Sequence, residues 1–363
     1  MRIFQLKEPM VYNYLQSGFY SFISRDEHLL REVTDRPGVC LKVFFTPLVG
    51  SIDDYYWGHP FMASSNRMSP RYERTRLVDA VIIQNLLAWH GLAPRVYEII
   101  LLRWEGKEYP ALLVDDLGFS HDLTGLNERE KIFETAKKLG TKYGFRVDFE
   151  DIGQASNFVK GKIVDIQGFQ LEPDYKDRVI KRYKDYAKWA ENTYQSIPEL
   201  GIKGYRDNER RAELMQLDKI DFKDKYVVDI GCSGGFYCRY AANKGAKRVM
   251  GIDLPEVIDT AFEISNLLGY YNVDFVGSEL EKEKDYDFGI APNIIFYLSV
   301  QRYFGYAPYL KKAETVIYEH NGDEPEEQVI ELFMQDFKNM KDLGVTGRDT
   351  GSNDDRRTLI FTR

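Results

Sequence analysis

The sequence predicts an α/β protein of two domains, a doubly wound Rossmann-like sheet preceded by an α+β domain. Three observations carry that prediction. The 363 residues exceed what one core usually serves. From about Asp221 onward, strand-like and helix-like runs alternate strictly, the pattern of a mostly parallel sheet covered by helices. Before that point, strand-like runs gather around hairpin and turn signals instead.

In the first half, "GVCLKVFFTPLVG" (38–50) reads as a strand. Residues 95–118 read as a hairpin turned at Glu105, Gly106 and Lys107. Between them, residues 71–91 have helical spacing, with Leu77, Ile82, Leu86 and Leu87 on one side and Gly91 as the stop. "NEREKIFETAKKLGTKYG" is a second helix ending on glycine. The charged, tyrosine-rich run 173–197 is expected to be a helical connector, ended by Pro198.

In the second half, "KYVVDIG" is a strand, "GGFYCRYAANKG" a helix stopped by Gly245, "AKRVMGIDL" a strand and "PEVIDTAFEISNLLGY" a helix. Three strand runs follow, "VDFVGSEL", "DYDFGIAPNIIFYLS" and "ETVIYEHNG". The helix "PEEQVIELFMQDFKNMKDLG" and the strand "RRTLIFTR" close the chain. Sheets of this kind bind ligands beyond the carboxyl ends of their strands, where the strand order reverses.

Composition narrows the function classes. The net charge of −8 gives no electrostatic footprint for gripping a phosphate backbone. Three cysteines, Cys40, Cys232 and Cys238, form no CxxC pair. They fit a reducing compartment better than a disulfide framework or a cysteine zinc site. The start "MRIFQLKEPMVYNYL" lacks a continuous apolar core, and no stretch is long and apolar enough for a membrane span. The expected location is cytoplasmic.

The chemistry concentrates after Asp229. The run Asp229-Ile230-Gly231-Cys232-Ser233-Gly234-Gly235 joins a buried strand to a helix. Its glycines let a ligand press against backbone amides, and the helix amino end suits a carboxylate. Asp253 ends the next strand at the edge of the same pocket, where a carboxylate accepts both hydroxyls of a ribose. Glu279 stands one strand further along. The spacing is not the dinucleotide G-x-G-x-x-G, which sets a nicotinamide-binding fold aside as the lesser alternative.

On this turn, Asp253 and the order of elements, residues 204–363 resemble the class I S-adenosylmethionine-dependent methyltransferases. The resemblance implies S-adenosylmethionine as cofactor. It implies that Gly231, Ser233 and Gly235 line the methionine part, that Asp229 orients it, and that Asp253 holds the ribose. Glu279 would sit near the adenine amino group, with Leu254 and Asn293 completing the cofactor set. Ser233 departs from the glycine that many members carry there. The fourth strand lacks the N/D-P-P-Y/F of amine methylases, and the fifth lacks the lysine of ribose 2′-O-methyltransferases of RNA. The fifth strand ends in Glu319, His320 and Asn321. His320 is the first candidate for a general base, with Tyr297 and Glu319 behind it, and its bland alternative is a solvent-facing loop histidine. The run 204–214 is expected to form a helix over the cofactor pocket, with Tyr205 and Arg206 as candidate contacts. Arginines in "NDDRR" (353–357) could face an anionic acceptor.

The first half is similar to protein-kinase-like folds such as aminoglycoside phosphotransferases. "VCLKVF" places Lys42 inside a strand, and "SNFVKGKIVDIQGF" brackets a short hairpin with Asn157 and Asp165. In that family the lysine grips phosphates while the asparagine and aspartate hold magnesium, so ATP and Mg2+ are implied ligands. The chain departs from the family pattern in three places. No H-x-D stands five residues before Asn157, the only glycine-loop candidate is near Gly18, and the acid facing Lys42 is either Glu73 or Asp79.

The domains read as 1–172 kinase-like, 173–203 helical linker and 204–363 methyltransferase. The expected function is O-methylation of a small molecule, saccharide or phosphate group. The first domain would then be a phosphotransferase or a substrate-recruiting pseudokinase. Fusions of these folds occur in surface-polysaccharide chain termination, with the opposite domain order. The alternative is an RNA or DNA methyltransferase with a nucleic-acid-binding first domain.

Overall fold

The structure, a computed structural model, describes all residues except 6–20, 26, 45–46, 49, 58–74, 119–125, 148–157, 165, 167–168, 187, 190–191, 281–285, 299, 301–308, 321–325 and 347–355. The chain divides into two compact units, Met1–Arg178 and Val179–Arg363. Among the described residues no helix is long and apolar enough to cross a membrane.

The first unit is built on a five-stranded sheet in the order Ile3–Gln5, Val96–Trp104, Lys107–Asp115, Val39–Phe44, Ser21–Ser24. The central hairpin turns where the sequence places it, with Glu105 at φ 48° and Gly106 at φ 76°. Two left-handed residues in succession match the twist of the flanking strands. Leu41, Val43, Ile100, Leu102, Ala111 and Leu113 form a core on one face. The helix Leu77–Trp89 is buried along most of its length. A second helix, Leu126–Tyr143, gives way to Gly144 at φ 93°. The hairpin Phe158–Val159 with Lys162–Ile163 is present as well.

The expected helical connector is shorter than the sequence suggests. Its helix covers Tyr175–Tyr186, and short strands Lys188–Trp189 and Asn192–Gln195 follow. The latter pairs in parallel with Gly204–Arg206. Pairing satisfies backbone groups that would otherwise favour continued helix. Gly204 permits the crossing, because a Cβ there would lie 2.3 Å from the Gln195 carbonyl carbon.

The second unit then runs through helix α1 (Asn208–Leu214), β1 (Tyr226–Ile230), α2 (Phe236–Asn243), β2 (Arg248–Asp253), α3 (Pro255–Leu267), β3 (Val273–Gly277), β4 (Ile294–Leu298), β5 (Thr315–Glu319), α4 (Glu326–Phe333), β6 (Asn339–Val345) and β7 (Arg357–Thr362). The sheet order is β3-β2-β1-β4-β5-β7-β6. β1 to β5 are parallel, and β7 runs antiparallel to both β5 and β6. The final helix is shorter than the sequence predicts. It stops at Phe333, and the segment beyond becomes β6. Phe337 is buried against Phe333 and Phe361, and Lys338 N–H donates to Thr362 O at 3.1 Å. Tertiary packing and ladder bonds override a weak local helical preference.

Strand alternation decides which side chains reach which face. Val228, Ile230, Ile252, Ile295, Tyr297, Val316, Tyr318 and Phe361 share one core with Phe333 of α4. On the opposite face Phe296 stacks on Phe222 and packs near Tyr237 of α2.

Candidate functional site

The site forms where β1 leaves the sheet toward α2 while β4 begins the other half. Gly231 and Gly235 both stand at φ 74°, and Ser233 between them at φ 50°. Three left-handed residues in five fold the turn back on itself. The Gly231 and Cys232 N–H groups both donate to Ile252 O, at 2.8 and 3.1 Å, anchoring the turn on β2. A Cβ on Gly231 would meet Val300 at 3.3 Å, so the position is sterically tight as well as left-handed.

Asp253 closes the other side. One carboxylate oxygen accepts the Ser233 N–H at 2.7 Å, and the other accepts the Leu254 N–H at 2.8 Å. Burial pushes its pKa up, against the two amide bonds that pull it down. A carboxylate has room for about four hydrogen bonds, so acceptor capacity remains for hydroxyl donors. Asp229, 1% exposed, is pushed up to about 7 by desolvation, with the Cys238 thiol donating to it at 3.3 Å.

These groups line a cavity of about 490 Å3, within the usual range for small-molecule sites. The walls include Asp229, Gly231, Ser233, Asp253, Leu254 and Glu279 from the sequence-predicted set. Leu254 is 41% exposed at its edge. Gly235 is the N-cap of α2, packed against Phe275 and Arg239 behind the turn.

Four predicted residues stand elsewhere. Asn293 precedes β4, at the amino end of the sheet. Its side chain accepts the Tyr226 N–H at 2.9 Å, so it ties strand starts together, away from the cavity. Tyr297 points into the core and stacks on Tyr318, as alternation along β4 requires. Glu319 is fully buried and ion-paired with Arg211. His320 is half-buried, its backbone N–H donating to Arg357 O at 2.9 Å, and it is not among the cavity-lining residues. Asn321 lies outside the described residues.

The segment before β1 supplies walls that sequence reasoning missed: Tyr194, Gln195 and Arg211. A helix was expected here, and α1 presents Arg211 rather than Tyr205 or Arg206. Arg206 is buried, 5.6 Å from the Tyr194 ring centre. Arg357 of the "NDDRR" run pairs with Glu326 at 2.7 Å and with Asp342.

In the first unit, Lys42 lies on the inner strand Val39–Phe44 and donates to Val164 O at 3.0 Å. Burial pulls its ammonium down to about 7. Asn157, Asp165, Glu73 and Gly18 lie outside the described residues. Asp79 is held by Arg76 at 2.7 Å.

No protein-family model matches the chain. Curated relatives match short segments. Protein arginine N-methyltransferase 1 of Saccharomyces cerevisiae is 45% identical over 49 residues, 14% of each chain. That of Schizosaccharomyces pombe is 32% identical over 82 residues, 23% of this chain and 22% of the relative. The chain thus spans less than a quarter of either relative's length. Among solved structures, WbdD is 19% identical, covering 52% of this chain and 46% of that one, with a TM-score of 0.39. Magnesium protoporphyrin IX methyltransferase (ChlM) from Synechocystis PCC 6803 with bound SAM is 16% identical, covering 43% and 77%, with a TM-score of 0.33. The order β3-β2-β1-β4-β5-β7-β6 with β7 reversed, together with the turn held by Asp253, is a doubly wound sheet of the kind the sequence predicts for residues 204–363.

Proposed function

We propose that the chain is an S-adenosylmethionine-dependent methyltransferase acting on an oxygen of a small molecule or saccharide, a phosphorylated saccharide included. The observation that carries this is the Ser233–Asp253 hydrogen bond across the mouth of the cavity. It sets a carboxylate for ribose hydroxyls beside a glycine turn open to a ligand backbone-on. The fit is chemical as well as steric: Asp229, Asp253, Glu256 and Glu279 give the walls an acidic character suited to a cationic cofactor. When bound, S-adenosylmethionine supplies an already activated methyl group, so the residues here need only hold, orient and exclude water. The net charge of −8 works against a nucleic-acid acceptor.

For the first unit we propose a kinase-like role, either phosphoryl transfer with ATP and Mg2+ as ligands or recruitment of the methyl acceptor by a domain that has lost that activity. Lys42 beside Val164, one residue before Asp165, supports the placement of a phosphate-gripping amine there. The whole reading is tested by following S-adenosylhomocysteine formation with panels of saccharides, phosphosaccharides and RNA, with and without ATP–Mg2+. Turnover confined to saccharide or phosphosaccharide acceptors is expected. Turnover with RNA would replace the reading by the nucleic-acid one.

A further inference from the structure

Strand Asn192–Gln195 ends over the glycine turn. Gln195 is 5% exposed and lines the cavity. Its backbone oxygen accepts from the Tyr183 and Thr193 hydroxyls at 2.8 and 3.1 Å, which fixes where the side chain starts. The side-chain oxygen lies 3.2 Å from the position a Cβ on Gly234 would take. That oxygen is buried and has no hydrogen-bond partner among the described residues. Leaving a buried amide oxygen unpaired is costly, so the arrangement calls for a donor carried in by a ligand. A carboxamide accepts through its oxygen and donates through its nitrogen. It therefore suits a group that bears an ammonium and a carboxylate side by side. Asp229 and Arg211, of opposite charge, line the same cavity.

We propose that Gln195 binds the amino-acid end of the cofactor, its side-chain oxygen accepting from the ammonium and its amide nitrogen donating to the carboxylate. The proposal rests on the reading of this cavity as an S-adenosylmethionine site. It makes the short strand ahead of the sheet part of the cofactor site rather than a passive cover.

The test compares three ligands by calorimetric titration of the full chain. S-adenosylmethionine and S-adenosylhomocysteine carry the amino-acid end, and 5′-methylthioadenosine lacks it. Gln195→Leu is expected to weaken the first two by about tenfold or more, the size of a lost charge-assisted hydrogen bond. Binding of methylthioadenosine should stay within about twofold of wild type, which also shows that the variant is folded. Should Gln195→Leu fail to fold, Gln195→Met supplies the same comparison. Equal weakening of all three ligands would make Gln195 a support for the turn and overturn the proposal. Unchanged binding of all three would overturn it too, with the cavity reading intact. A wild-type protein that binds none of them would overturn the cavity reading itself.

Discussion

The Asp253 carboxylate accepts the Ser233 N–H at 2.7 Å, so the end of β2 and the turn after β1 behave as one hydrogen-bonded unit. Ser233 holds a left-handed backbone, φ 50°, to make that bond. An L-residue in this conformation costs about 1 kcal/mol relative to glycine. Ser233→Gly is therefore expected to be neutral or stabilising by up to about 1 kcal/mol in chemical denaturation, with cofactor affinity kept. Ser233→Val is expected to lower stability by more than about 1 kcal/mol, because a β-branched residue tolerates φ > 0 least.

Glu319 and Arg211 form a buried pair, 0% and 5% exposed at their side chains. Removing one partner strands the other charge, at a cost of about 3–5 kcal/mol. Glu319→Leu and Arg211→Met should each show a loss of that order in urea unfolding. The double variant should lose much less than the sum. Additive losses would separate the two residues energetically and return Glu319 to candidacy as a base.

Asp229 gives the protein a pH signature. Its folded pKa, pushed up to about 7, lies above the ordinary value of about 3.9 in the unfolded chain. The folded state therefore holds the proton more tightly between those values. The stabilisation is full below about pH 4 and is lost as pH rises through 7. Asp229→Asn should flatten this fall, which would amount to roughly 1–4 kcal/mol between pH 4 and 8. A cationic ligand favours the ionised carboxylate, so S-adenosylmethionine affinity should rise with pH across 6–8, and this rise should vanish in the variant.

Lys42 has the opposite sign. Burial depresses its folded pKa to about 7, below the ordinary 10.5. Stability from this site is full above 10.5 and declines as pH falls through 7. Lys42→Met should reduce that decline and, if the first unit grips phosphates, abolish ATP–Mg2+ binding. Retained ATP binding in the variant would make Lys42 a core lysine only.

The sheet was legible because strand alternation and glycine stops are local signals, from Asp229 through Gly245 to Asp253. Turn chemistry was legible for the same reason, down to the hairpin at Glu105 and Gly106. Other features depended on partners far along the chain. β6 looked helical because its strand character comes from pairing with β7 and from Phe337 packing on Phe361. Tyr297 looked catalytic by its position at a strand end, yet alternation along β4 turns it into the core. Glu319 met Arg211 across 108 positions, and Gln195 reached the cavity only by parallel pairing with Gly204–Arg206. No spacing rule exposes contacts of that kind.

The most direct test of the account is calorimetric titration of the purified chain with S-adenosylmethionine, beside an Asp253→Ala control. Saturable one-to-one binding by the wild type is expected, weakened at least about tenfold in the variant through loss of the carboxylate proposed to hold the ribose and of the Ser233 anchor. Absence of binding by a folded wild-type protein would contradict it.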